Sequence, residues 1–193
     1  MRKETGLILA LDVTSPELAV RIARDAADFL DAIKVNYPLV LSCGMQIVTD
    51  LAEIREVICD FKVADIPNTN RLIVEQAFLH GASGVIVQGF VGEDSVRACV
   101  EAAGGEVFVV TEMSHPGGQL YTAPIAEELA LMAVRVGASG IIAPATRPQR
   151  IKRLREIVQD LAILTPGVGA QGGYASSSIK AGADYVIVGR SVY

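Results

Sequence analysis

The chain has 193 residues, 51% of them hydrophobic and 20% charged, with no low-complexity tract. That is long enough for one domain with a sizeable core and too apolar for disorder. A net charge of −5 provides no basic stripe for nucleic acid, and no apolar run reaches the roughly 18 residues of a membrane helix.

The N-terminus, Met1-Arg2-Lys3-Glu4-Thr5, lacks a signal-peptide core. Short β-branched apolar runs then alternate with longer helical patterns. Strands are predicted to start near Leu7, Ala32, Val57, Gly84, Glu106, Gly140, Leu161 and Asp184. Helical stretches lie between them near Pro16–Leu30, Pro38–Ala52, Thr69–His80, Asp94–Ala103, Ile125–Val136, Pro148–Val158 and Ser176–Ala181. Ser15-Pro16 reads as a cap followed by proline at a helix start. Gly81-Ala82-Ser83, Gly137-Ala138-Ser139 and Gly182-Ala183-Asp184 repeat one design, a helix ending at glycine before a buried strand. Eight strands with helical crossovers, at a period of about 25 residues, predict a (β/α)8 TIM barrel formed by residues 1–193 as a single domain. A doubly wound open sheet is the competing architecture. The chain stops at Tyr193, right after the eighth strand, so the final helix of the ring is missing and part of the outer apolar surface is expected to lie uncovered; a shortened chain is the expected reason.

Chemistry concentrates at the strand tips. The run Val57-Ile58-Cys59 rises into Asp60, Lys62 and Asp65 before Pro67 stops it. Residues two apart in a strand share a face, which puts Asp60 and Lys62 together. Such alternating charges are costly in an apolar run unless they pair or work. Asp12 and Lys34 end the two preceding runs, which makes five charges of mixed sign at successive tips. In a barrel of this kind the site lies at those ends. Gln88, Thr111-Glu112-Met113-Ser114-His115 and Pro144-Ala145-Thr146-Arg147 stand at the tips of strands four to six. After strand seven comes Pro166-Gly167-Val168-Gly169-Ala170-Gln171-Gly172-Gly173, and after strand eight Gly189-Arg190-Ser191. Free backbone N–H groups and a neighbouring arginine there suit a phosphate, and the same glycines suit a lid. The glycine spacing superficially matches a dinucleotide fingerprint, but it comes late and has no acidic residue at the ribose distance. Three scattered cysteines (Cys43, Cys59, Cys99) read as reduced thiols of a cytoplasmic protein, and two histidines (His80, His115) without ligand spacing form no transition-metal site.

Asp60-Phe61-Lys62-Val63-Ala64-Asp65-Ile66-Pro67-Asn68-Thr69 resembles the signature of the orotidine 5′-phosphate decarboxylase family, closest to its short archaeal-type members. Leu9-Ala10-Leu11-Asp12, Ile33-Lys34-Val35, Thr111-Glu112-Met113-Ser114, the Pro166–Gly173 loop and Ile187-Val188-Gly189-Arg190 match in order, so the resemblance covers nearly the whole chain. It implies decarboxylation of orotidine 5′-monophosphate to uridine 5′-monophosphate without metal or organic cofactor. Lys62 would protonate C6 of the pyrimidine, and Asp60 would face the substrate carboxylate. Lys34 and Asp65 would complete an alternating charge network, in which Lys62 stays protonated between two carboxylates. Asp12 and Lys34 would hold ribose hydroxyls, and Ser114 and Gln171 the pyrimidine. Gln171, Gly189 and Arg190 would hold the phosphate, with Pro166, Val168 and Gly169 lining its loop. Asp65 and Thr69 would serve the other subunit of a homodimer. Two positions depart from the family pattern: Gln88 stands where many relatives have histidine, and the segment Tyr174–Ser178 is unfamiliar.

The Asp-x-Lys-x-x-Asp core is shared with Mg2+-dependent relatives acting on sugar phosphates, the keto-gulonate-phosphate decarboxylases and hexulose-phosphate synthases. Ile66-Pro67, Thr69 and Gln171 favour the orotidylate branch. A non-catalytic barrel that binds a phosphate ligand is the other alternative.

Overall fold

A strand with helices packed on one side and a barrel lumen on the other must be apolar on both faces, and the strands of this chain divide their side chains accordingly. In the computed structural model, which describes residues 1–193, Leu9, Ile33, Val57, Val85, Val109, Ile141 and Ile163 face a large outer core beneath the helices. Ile8, Ile58, Ile86, Phe108, Ile142, Leu164 and Ile187 fill a smaller inner core within the barrel.

The strands are β1 (Leu7–Leu11), β2 (Ala32–Asn36), β3 (Glu56–Val63), β4 (Gly84–Gln88), β5 (Glu106–Val110), β6 (Gly140–Ile142), β7 (Ala162–Pro166) and β8 (Tyr185–Val188). They form a closed, all-parallel barrel in sequence order, with β8 returning to β1 through Ile8 opposite Ile187. Every predicted strand start lies within one residue of the observed one. The open-sheet alternative is overturned by the β1–β8 pairing.

The helices are α1 (Pro16–Ala26), α2 (Tyr37–Cys43), α3 (Gln46–Ala52), α4 (Pro67–Leu79), α5 (Glu93–Ala102), α6 (Gly118–Tyr121), α7 (Ala126–Arg135), α8 (Pro148–Val158) and α9 (Ala175–Lys180). Ser15 caps α1 by accepting the Leu18 N–H at 3.2 Å, as its position before Pro16 implied. Two features depart from the sequence reading. The stretch expected to be one helix over Pro38–Ala52 is two, broken at Gly44, whose φ of +75° is left-handed and closes α2. The region before α7 holds α6, which two glycines disguised as loop. A Cβ at Gly118 would stand 2.4 Å from the Met113 carbonyl oxygen, so glycine serves close packing there.

Within residues 1–193 no helix follows β8. The outward-facing Val186 and Val188 keep 8% and 9% exposure, against 0% at Leu9, Ile33 and Val85, so the predicted bare surface is slight. No helix is long and apolar enough to cross a membrane.

Candidate active site

Closing the barrel brings the C-terminal strand tips around one cavity of about 470 Å³. Asp12, Lys34, Asp60, Lys62, Ser114, Pro166, Val168, Gln171, Gly189 and Arg190 all line it. Asp65, Thr69 and Gly169, which the family resemblance assigned to the site, do not line it, and neither does Gln88.

The polar wall is a chain of alternating charge. Lys34 Nζ stands 3.7 Å from Asp12 Oδ1 and 3.0 Å from Asp60 Oδ2, and Lys62 Nζ donates to Asp60 Oδ1 at 2.8 Å. Register explains the meeting of Lys34 and Asp60: Asn36 pairs with Asp60 across β2 and β3, so Lys34 lies two residues below on the same face. Burial alone would raise the Asp60 carboxyl, but the charges of Lys34 and Lys62 outweigh it and hold that group below the ordinary carboxylate range. Both Asp60 oxygens are thereby committed to ammonium groups. Cys59, on the outer face of the same strand, has its thiol pushed up to about 12 by burial and by the Asp60 charge, so it is an inert core residue.

Lys62 is presented by a distorted backbone. Cys59 pairs with Val85 and Val63 with Val87, so two more residues of β3 than of β4 lie between these pairs. Within that bulge Lys62 takes φ +43°, a left-handed conformation that costs a non-glycine residue roughly 1–2 kcal/mol. The alternation expected of a plain strand survives, but the register with β4 is interrupted around Lys62.

Asp65 lies on the bend between β3 and α4, exposed, with its carboxylate accepting the Ile66 N–H at 2.7 Å. Its backbone is pinned, since its N–H donates to Asn70 Oδ1 and its carbonyl accepts from Ser95 Oγ. Within one chain, therefore, Lys62 has one carboxylate partner instead of two. Thr69 is half-buried on α4 and likewise absent from the cavity lining. Gly169 faces the β8 loop, where a Cβ would meet Ser191 Oγ at 2.6 Å. The β7 loop is folded on itself by bonds from Gly169 N–H to the Gly173 carbonyl and from Gly173 N–H to the Gly167 carbonyl, which leaves Ala170 and Gln171 exposed at its rim.

Three features had no role assigned from sequence. Glu112 is fully buried, its two oxygens bound by Arg147 Nε and Arg150 Nε, each at 2.8 Å. Arg147 also donates to the carbonyls of Met113 (2.6 Å) and Ser114 (3.4 Å), so this cluster fixes the loop that carries Ser114. Tyr193 lines the cavity and donates to the Ala10 carbonyl, joining the β8 loop to β1. Finally, Ile86, Val110, Ile142 and Ile187 make an apolar floor. Strand-tip position was the signal for Glu112 and Arg147; their partnership was not visible because 35 residues separate them. No group of three or more His, Cys, Asp or Glu side chains is placed to hold a metal ion.

The profile of the family described as "Orotidine 5′-phosphate decarboxylase / HUMPS family" matches residues 5–193. The orotidine 5′-phosphate decarboxylase of Methanococcoides burtonii is 59% identical over 100% of this chain and 92% of its own length. That of Thermococcus kodakarensis is 52% identical, over 99% and 90% respectively. Among solved structures, orotidine 5′-monophosphate decarboxylase from Methanocaldococcus jannaschii complexed with the inhibitor BMP superposes with a TM-score of 0.92 at 47% identity, covering 98% of this chain and 90% of that one. The enzyme from Pyrococcus horikoshii superposes at 0.89 with 48% identity, covering 95% and 89%.

Proposed function

The chain belongs to the orotidine 5′-phosphate decarboxylase / HUMPS family, and from that premise we infer that it is an orotidine 5′-phosphate decarboxylase, a carbon–carbon lyase that forms uridine 5′-monophosphate in pyrimidine biosynthesis. The observation that carries the reading is the Asp12–Lys34–Asp60–Lys62 chain at the barrel mouth, with Asp60 held ionised between two lysines. Residues 1–193 act as one cytoplasmic catalytic domain, and two chains form a homodimer in which Asp65 and Thr69 complete the partner's site.

Loss of CO2 from C6 leaves a carbanion with no cofactor to delocalise it, so fixed charge must stabilise it. Lys62, one-third exposed at the end of the charge chain opposite Asp12, is the group that can stand beside C6 and deliver a proton there. Asp60 meets the departing carboxylate with like charge, while Lys34 offsets the burial of Asp60. Asp12 and Lys34 take the ribose hydroxyls. Ser114, on its arginine-pinned loop, and Gln171 take the pyrimidine. Gln171, Gly189 and Arg190 grip the phosphate, with Pro166, Val168 and Gly169 shaping the loop that closes on it. Binding energy at the phosphate, remote from C6, is thereby expressed in loop closure and in the transition state.

The test is the loss of orotidylate absorbance, followed with and without chelator. Turnover should be undiminished by EDTA. A Mg2+-dependent sugar-phosphate enzyme would leave orotidylate untouched and turn over a sugar phosphate only until chelator is added, and a binding barrel would consume neither. The donor set supports the first outcome: both oxygens of Asp60 are occupied by ammonium groups and the Asp65 carboxylate caps its own turn, so the two do not converge as metal ligands.

For the phosphate grip, Arg190→Ala should cost about 3 kcal/mol in kcat/KM for the nucleotide, roughly a hundredfold, as for a charge-assisted contact. A substrate lacking the phosphate should react poorly with the parent and suffer little further from the mutation. Equal damage to both substrates would assign Arg190 to structure.

A further inference from the structure

The strained backbone of Lys62 requires something to hold it, and we propose that the stacked pair Phe61–Tyr37 is the positioning device that keeps the Lys62 ammonium in the cavity; this rests on the reading of Lys62 as proton donor. Lys62 and Gln159 are the two non-glycine residues with left-handed φ. Gln159 closes α8, where such a conformation serves to end a helix. Lys62 ends no helix. It sits inside a strand, at the group that matters for chemistry, and such outliers persist only where their surroundings over-determine them.

Phe61 is the residue between the two charged ones and points the other way, into the outer core, with 4% exposure. Its ring lies 5.3 Å from that of Tyr37, nearly parallel at 17°. That separation suits offset stacking. The ladder explains the meeting: Asn36 pairs with Asp60, so the residues that follow them, Tyr37 and Phe61, are neighbours one step past the end of β2. Tyr37 is itself fixed, because its N–H donates to Asn36 Oδ1 at 2.7 Å and Pro38 follows it at the start of α2. The stack thus anchors the bulge on the side away from the cavity, immediately beside the residue that carries the strain. With Phe61 held, Lys62 cannot relax to ordinary extended φ without drawing Nζ away from Asp60 Oδ1.

The experiment replaces the rings with smaller apolar side chains that cannot stack. Phe61→Leu and Tyr37→Leu should each lower kcat by about 10- to 100-fold, the scale of a small misplacement of a reacting group, with KM within about threefold of the parent. Tyr37→Phe, which keeps the ring, should recover most of what Tyr37→Leu loses. Tyr37 is half-exposed, so its variants provide a folded test if Phe61→Leu misfolds. A crystal structure of either leucine variant should show Lys62 at negative φ with Nζ beyond hydrogen-bond distance of Asp60. The proposal fails if both folded leucine variants keep kcat within twofold of the parent, if only melting temperature moves, or if Lys62 stays left-handed with Nζ in place. Should the parent itself not decarboxylate orotidylate, the functional reading fails, while the crystallographic arm still judges the positioning role.

Discussion

Lys62→Ala should abolish nearly all turnover, by at least about 10⁴-fold in kcat, while the barrel stays folded. The fold survives because Lys62 is one-third exposed at the strand tip and belongs to neither apolar core. Alanine also relieves part of the left-handed strain only if the bulge relaxes, so melting temperature should move little in either direction. On the proposed mechanism the loss in turnover is large because two contributions would leave together: the proton donor to C6 and the cation next to the developing carbanion. Asp60 keeps Lys34 at 3.0 Å and remains ionised, so the mutant site gains a net negative charge. Binding of an anionic substrate should weaken as well, which separates this variant from a purely chemical knockout. Kinetics together with a thermal melt check both halves. Near-normal turnover in a folded variant would remove Lys62 from the mechanism.

The charge chain explains why so polar a wall is tolerated in a barrel interior. An isolated buried carboxylate at Asp60 would be expensive, and it is made acceptable by two lysines approaching from different strands. The same arrangement presets the electrostatics of the reaction before substrate arrives, so little reorganisation remains for the chemical step. The buried Glu112 with Arg147 and Arg150 acts at one remove. It spends a second ion cluster on the loop of Ser114, where a shift of the backbone would displace the pyrimidine contact proposed for that residue.

Much of this was legible in the residues. Strand starts could be read because all but the first follow a helix ended by glycine or a polar turn, and each opens a mostly apolar run, as double-sided burial demands. The cavity lining could be read from strand tips because barrel topology puts all eight tips at one end. Other features were hidden for physical reasons. The apolar period runs on through Gly44, so nothing but its left-handed φ marks the break between α2 and α3. The bulge at Lys62 leaves inside–outside alternation intact, and propensity does not register two additional residues opposite β4. Tyr193 reaches Ala10 across 183 residues, a contact that no local pattern encodes. Asp65 was legible as a charge near Lys62 but not as one pointing out of its own cavity, which depends on the turn built by Asn70 and Ser95.

That last displacement leads to a decisive mixing experiment. Asp65 is exposed beyond the strand tip and next to Ile66, which leaves 65% of its surface in solvent. An acidic residue the mechanism calls for, turned outward beside a bare apolar side chain on a rigid turn, is suited to complete a neighbouring chain's site. A two-fold interface is isologous, so each site would combine Lys62 of one chain with Asp65 of the other. Take inactive Lys62→Ala subunits, mix them in equal amount with inactive Asp65→Asn subunits, and allow exchange. In each mixed dimer one site carries both lesions and the other is intact. Random pairing makes about half the dimers mixed, so roughly a quarter of all sites should be restored, and activity should return to about a quarter of that of the parent. If Asp65 acted within its own chain, every site would keep a lesion and mixing would restore nothing. Exchange itself is verified by mass spectrometry of one isotopically labelled population, so that silence cannot be mistaken for failure to mix. With exchange demonstrated, the recovered activity measures directly how many sites are shared between chains.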